Sequence, residues 1–179
     1  MKRANFLLTF VLIFTVLSCK MGDNNVWELD ISSMPSLTIK YDTTVYFDSG
    51  RVVLRMTFPI MEKYDNAGHP YYEFRKGLYV DFFDRNRNPS GSISSKYAIY
   101  REYINLWELR DSVVVINQDG EKLETDNLFW DEAQDLIYTD RFVKLTSADQ
   151  IMMGTGFQSD SQLRKRRIWR VSATIYLDE

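Results

Sequence analysis

Six carboxylates crowd the stretch LETDNLFWDEAQDLIYTD, residues 123–140: Glu124, Asp126, Asp131, Glu132, Asp135 and Asp140. Two carboxyls can share acid–base work when they converge in a partly dry cleft that drives their proton affinities apart. Here Glu124 and Asp126 sit two apart, the spacing of one solvated strand face, and Asp131, Glu132 and Asp135 fall in a turn. A calcium loop would show D-x-[DN]-x-[DN]-G, which the chain lacks. The acids therefore read as surface. His69, the only histidine, lies in AGHPYY with no G-x-S-x-G elbow to serve, and reads as a turn residue. Neither G-x-G-x-x-G nor G-x-x-x-x-G-K-[ST] occurs. The one basic run, LRKRRIWR (163–170), offers Arg164, Lys165, Arg166, Arg167 and Arg170. It suits phosphate groups on a lipid headgroup or saccharide, and equally a charged hairpin tip that guards a sheet edge. No catalytic residue, metal site or cofactor is expected.

The elements that would position these residues are strands. From about Leu37, short alternating runs follow one another: LTIKYDTTVYF, GRVVLRMTF, GLYVDFFD, SVVVINQDG, KLETDNLFW, DLIYTDRFVKL, QIMMGTGF and RIWRVSATIYL. Turn signals separate them at Asp48-Ser49-Gly50, 66–70, Asn88-Pro89-Ser90-Gly91 and Asp119-Gly120. Tyr and Phe at eleven each, with four Trp, favour such strands over helices. Residues 94–109 suit a helix or a strand by period alone.

A repeat of thirty residues decides that ambiguity. Shifting 93–115 by thirty places Ile93 on Leu123, Ser95 on Thr125, Ala98 on Leu128, Tyr100 on Trp130, Trp107 on Ile137 and Val113 on Val143. Residues 94–109 are therefore strand, turn, strand. A weaker copy spans 52–80, and a later one starts at Ile151 with Met153 in the slot of Leu123. Such units bury one face only by stacking. The expected architecture is all-β, a stack of short strands. Strand parity turns Leu123, Thr125, Leu128, Trp130, Ile137, Val143 and Leu145 to one side, and Glu124, Asp126, Asp131 and Tyr138 to the other. The inward candidates for a lipid-accepting groove are Tyr100, Trp107, Val113, Val115 and Leu128, followed by Trp130, Ile137, Val143, Met153 and Phe157. The glycines of GTGF, Gly154 and Gly156, suggest a bulge or a close backbone approach. Open edges accept strands from other chains, so the architecture suggests a binding or bridging module.

The start, MKRANFLLTFVLIFTVLSCK, sets Lys2 and Arg3 before an apolar run from Phe6 to Leu17, long enough for a signal peptide and too short to span a membrane. Val16-Leu17-Ser18-Cys19 resembles the lipobox of bacterial lipoproteins, and Cys19 is the only cysteine. We expect a lipoprotein signal peptide at 1–18, a lipidated Cys19 with a tether at 19–36, and a β domain at 37–179. Two acyl chains would hold the domain on a membrane. Without Lys2 and Arg3, 20 basic side chains face 25 acidic ones, a net −5, which is no footprint for nucleic acid.

YYEFRKGLYVDFFD (71–84), AIYREYINLWELRDSVVVINQDGEKLETDNLFWDEAQDLIYTDRFVKL (98–145) and GTGFQSD (154–160) resemble the LptC family of lipopolysaccharide export. The resemblance covers roughly 37–175 and implies a twisted open antiparallel β-jellyroll. It also implies lipopolysaccharide transfer without chemistry on the ligand. An inner-membrane ABC transporter would supply the lipid, and an LptA-like periplasmic jellyroll would receive it through strand-edge pairing. The N-terminal strands (37–47) would face the transporter. The edge at 168–177, with Ile168, Val171, Ala173 and Ile175, would join the periplasmic partner, and Gly154 and Gly156 near it become candidates for partner contact. The family role implies the periplasmic face of the inner membrane. The lipobox departs from members anchored by a transmembrane helix, and Lys20 rather than Asp after the cysteine leaves the outer membrane open. A structural envelope lipoprotein that assembles by strand edges without carrying lipid is the alternative.

Overall fold

The computed structural model describes residues 33–176. Its contacts separate a unit Met1–Asp30 from a unit Ile31–Glu179, and every described residue lies in the second. The leader and Cys19 fall outside the described residues.

Among the described residues twelve strands follow in chain order: β1 Leu37–Asp48, β2 Arg51–Tyr64, β3 Tyr71–Phe74, β4 Leu78–Phe83, β5 Pro89–Ser95, β6 Tyr97–Arg101, β7 Leu106–Asn117, β8 Lys122–Asp131, β9 Leu136–Thr146, β10 Gln150–Ser159, β11 Arg167–Ile168 and β12 Val171–Tyr176. All described pairings are antiparallel. The all-β jellyroll-like fold is the one the sequence predicts. Residues 94–109 are strand, a 3-10 turn at Glu102–Ile104, and strand.

Long strands serve two leaves. Arg55–Thr57 of β2 lie beside β4, whereas Glu62–Tyr64 lie beside β3. Likewise Leu106–Arg110 of β7 lie beside β6, and Val114–Asn117 beside β5. Between these halves the register slips, at Arg110/Val113, Thr125/Phe129 and Thr155/Phe157. Asp111 (φ 61°) and Ser112 (φ 55°) take the left-handed region at one of these slips. A bulge of this kind bends a strand and adds twist. Repeated across neighbouring strands, it folds one sheet into two facing leaves. Phe82 of β4 meets Trp130 of β8 edge to face at 5.9 Å, a contact between strands that are not neighbours in the sheet.

The thirty-residue repeat is the core's pattern. Ile93 and Leu123, Ala98 and Leu128, Trp107 and Ile137, and Val113 and Val143 are all buried. Each fully buried branched aliphatic side chain contributes about 1.5–3 kcal/mol relative to exposure. Four details differ from the sequence reading, the first being that RIWRVSATIYL breaks at Trp169-Arg170 into β11 and β12 and so is not one edge strand. The chain turns at Asp84–Asn88 rather than at Asn88–Gly91, because the Asp84 carboxylate accepts the Asn86 and Asn88 N–H groups (2.7 and 2.8 Å), freeing Pro89–Ser95 to form β5. The run at 71–74 is a strand of its own, β3. The last copy of the repeat is displaced by one residue: Met152, not Met153, pairs with inward Leu145 and packs on the core. Met153 pairs with Lys144 and so leaves the groove face.

Candidate lipid groove and strand edges

Between the leaves, near β1–β3, lies a cavity of about 560 Å³, within the usual size of ligand pockets. Tyr46 of β1, Leu54 and Met56 of β2, Tyr72 of β3, Tyr100 of β6 and Trp107 of β7 form much of its wall. Leu54, Met56 and Trp107 also border a void of about 30 Å³, which in turn shares Phe82, Ile93 and Trp130 with a space of about 160 Å³. Aromatic rings cluster in the large cavity. Tyr100 stacks on Trp107 at 4.6 Å, Trp107 leans on Phe74 at 5.7 Å, and Tyr72 lies 6.2 Å from Tyr100. A wall of rings and aliphatic side chains accepts apolar chains by area and without directional demands.

The polar atoms of the site sit at its rim. Glu132, from the turn after β8, accepts from Trp107 Nε1 at 2.9 Å and from the Tyr100 hydroxyl at 3.3 Å. Burial first, then the Glu132 charge, pushes the Tyr100 phenol up to about 12. Burial likewise raises Tyr46, with Tyr72 and Glu132 adding to it. Both phenols therefore stay neutral at ordinary pH, and that of Tyr100 donates to Glu132. Rings, aliphatic side chains and a rim carboxylate that ties two of the rings make this geometry one that suits binding.

The groove candidates divide into three groups. Tyr100 and Trp107 line the large cavity, Trp130 lines the two smaller spaces, and Val115 lines the third. Val113, Leu128, Ile137, Val143 and Phe157 are sealed in the core. Met153 faces away, as described above. The sequence reading found Tyr100 and Trp107 and missed most of the wall, including Tyr46, Leu54, Met56 and Tyr72. A signal was present: Leu54, Met56 and Phe58 alternate with Arg55 and Thr57.

The acidic stretch proves mixed. Glu124 lies between Lys122 (2.9 Å) and Lys144 (3.7 Å), Asp126 is exposed, and Asp131 accepts from the backbone and side-chain amides of Gln134. Glu132 breaks the expected pattern by lying on the cavity rim. Among the described residues, no group of three or more His, Cys, Asp or Glu is placed to hold a metal ion. His69 stacks on Tyr103 at 4.6 Å.

At one end of the sheet β1 pairs only with β2, and at the other β12 pairs only with β10, among the described residues. Both strands expose apolar side chains, Tyr41 (84%) and Phe47 (65%) on β1 and Val171 (56%), Ile175 and Tyr176 on β12. Ala173 is half-buried there, and Ile168 packs on the core. Gly154 and Gly156 lie on β10, one strand in from the edge. A Cβ on Gly154 would stand 2.5 Å from Ile168 Cγ2 and 3.0 Å from the Trp169 carbonyl, and one on Gly156 would meet the Trp169 ring at 3.2 Å. These glycines make room for the chain's own 168–170 segment, which accounts for them without a partner contact.

A family model described as "Lipopolysaccharide-assembly, LptC-related" matches residues 6–176. No curated protein is a match to the chain. Nearly the whole chain is covered, the fold is the all-β one the family resemblance implies, and the chain belongs to the LptC-related family of lipopolysaccharide-assembly proteins, whose role is in lipopolysaccharide transport.

Proposed function

We propose that this protein is a lipid-carrying bridge in lipopolysaccharide export. It takes the acyl part of lipopolysaccharide from an inner-membrane ABC transporter into the groove and passes it to an LptA-like periplasmic jellyroll. The β1 edge faces the transporter, and β12 pairs with the periplasmic partner. Cys19 carries the lipid anchor that keeps the domain at the periplasmic face of the inner membrane. The observation that carries this reading is the aromatic-walled cavity of about 560 Å³ on a sheet with an open edge strand at each end.

A photo-crosslinking amino acid at Tyr72 or Trp107, in growing cells, tests it. Capture of lipopolysaccharide there, and not from outward Tyr138, is the expected result. Equal labelling at all three positions, or none, sinks the lipid-carrying role. One observation favours a bridge without cargo: five of the ten groove candidates are sealed in the core while both edges stay open. In that case lipid capture fails while cross-links from β1 and β12 to protein partners persist.

A further inference from the structure

The first part of the basic run, Arg164, Lys165 and Arg166, lies in the connection between β10 and β11, with Arg167 on β11 and Arg170 between β11 and β12. After Ser159 the chain does not turn straight back. Residues 160–166 run to the turn between β7 and β8, where Asn117 Nδ2 donates to the Gln162 carbonyl at 3.1 Å and Arg166 Nη1 to Glu121 Oε1 at 2.5 Å. On the other leaf the Ser161 N–H donates to Asp135 Oδ1, in the turn between β8 and β9, at 3.3 Å. The segment thus touches turns from both leaves. Its internal shape comes from Asp160, whose carboxylate accepts from the Arg164 N–H at 2.7 Å, the Lys165 N–H at 3.4 Å and Arg164 Nε at 3.2 Å.

Two features mark this segment as more than a connection. Leu163 is wholly buried and belongs to the core cluster, yet its backbone has φ 58°, a region that L residues with bulky side chains seldom adopt. Strain of this kind at a fixed place points to a functional constraint. Ser161 and Gln162 also form part of the wall of the 160 Å³ space, opposite Phe82, Ile93, Val115 and Trp130. That space is the far end of the line leading from the large cavity. Trp130, which borders it, buries an Nε1 that donates to no acceptor among the described residues. A buried donor without an acceptor is costly and is relieved by an occupant that brings an oxygen.

We infer that residues 160–166 are a removable strap closing the far end of the groove, with Leu163 filling core space that an apolar chain of the ligand takes when the strap lifts. The inference rests on the lipid-carrying reading above. Polar contacts at the rim and a single inserted leucine hold the strap, so it can lift without breaking a strand ladder. It runs directly into β11 and β12, the edge proposed for the periplasmic partner, so docking there and opening of the groove act on one piece of chain.

The test is to staple the strap in the full-length chain. Glu121→Cys with Arg166→Cys is bridged by a short, reducible bifunctional thiol reagent, and purified lipopolysaccharide is added. A diazirine amino acid reports from Tyr72 in the large cavity or from Ser92 in the far space. The strap account expects capture at Tyr72 whether or not the staple is present. At Ser92 it expects capture to fall several-fold with the staple and to return on reduction. Glu121→Gln, which removes the ion pair without a thiol, is expected to raise capture at Ser92 above the unsubstituted chain. Equal capture at Ser92 in stapled and reduced protein overturns the strap and leaves lipid carriage standing. Absence of capture at both positions overturns lipid carriage itself.

Discussion

At the rim of the cavity, the Glu132 carboxylate ties Trp107 to Tyr100 and helps keep the Tyr100 phenol protonated up to about pH 12. Glu132→Gln removes the charge and leaves one amide oxygen where two carboxylate oxygens accepted, one from Trp107 and one from Tyr100. Burial still raises the Tyr100 phenol in that variant, but its ionisation is expected at lower pH, as ultraviolet titration against a Tyr100→Phe control would show. On the outer side, Glu108 accepts from Arg101 at 2.8 Å and from Arg110 Nε at 2.6 Å. Burial works to raise the Glu108 carboxyl, and the two guanidiniums outweigh it and hold it below the usual glutamate range. The folded value being the lower one, the unfolded chain binds the proton first as pH falls. The stabilisation is therefore present at neutral pH and is lost as acid carries Glu108 through its folded value. Glu108→Gln is expected to cost about 2 kcal/mol at neutral pH and to flatten the acid dependence. Urea unfolding of both proteins across the acid range would check it.

Among the elements, β8 and β10 bear the sharpest demands. Leu128 is fully buried, and Leu128→Ala is expected to destabilise the fold by about 2–5 kcal/mol, read from the shift in urea midpoint. Gly154→Val puts side-chain atoms where Ile168 Cγ2 and the Trp169 carbonyl already lie. It should loosen β11 and β12 while sparing β4–β9, seen as faster proteolysis after Arg167 and amide exchange gained only at that edge. The strands, the thirty-residue repeat and the inward set from Leu123 to Leu145 were legible in the sequence because one buried face imposes alternation. The slip from Met153 to Met152 was not, since a fixed repeat length carries no record of a lost residue. The turn at Asp84–Asn88 was missed because Pro and Gly announce turns more loudly than one aspartate that folds the backbone onto itself. Tyr46, Leu54, Met56 and Tyr72 escaped notice because they lie outside the clear repeat copies. Glu132 escaped because a turn has no parity to betray which way a side chain faces.

For the molecule as a whole, the sheet's two ends and its interior belong to one account. Among the described residues the ends are strands with a single neighbour each, and the interior is a line of spaces that begins beside β1 and reaches the strap that leads into β12, where Ser90, Ser92 and Asn117 join the wall. A photo-crosslinker at Tyr41 is expected to capture a transporter subunit, and one at Tyr176 a periplasmic jellyroll; exchanged partners would reverse the proposed polarity. This interior is where lipopolysaccharide is proposed to sit. Native mass spectrometry of the full-length chain, purified with lipopolysaccharide, measures it directly, alongside a Tyr72→Glu variant whose circular dichroism matches the parent. A bound lipopolysaccharide mass is expected on the parent chain and is abolished by the charged cavity wall of the variant. No bound mass on the parent, or an equal amount on both, would contradict it.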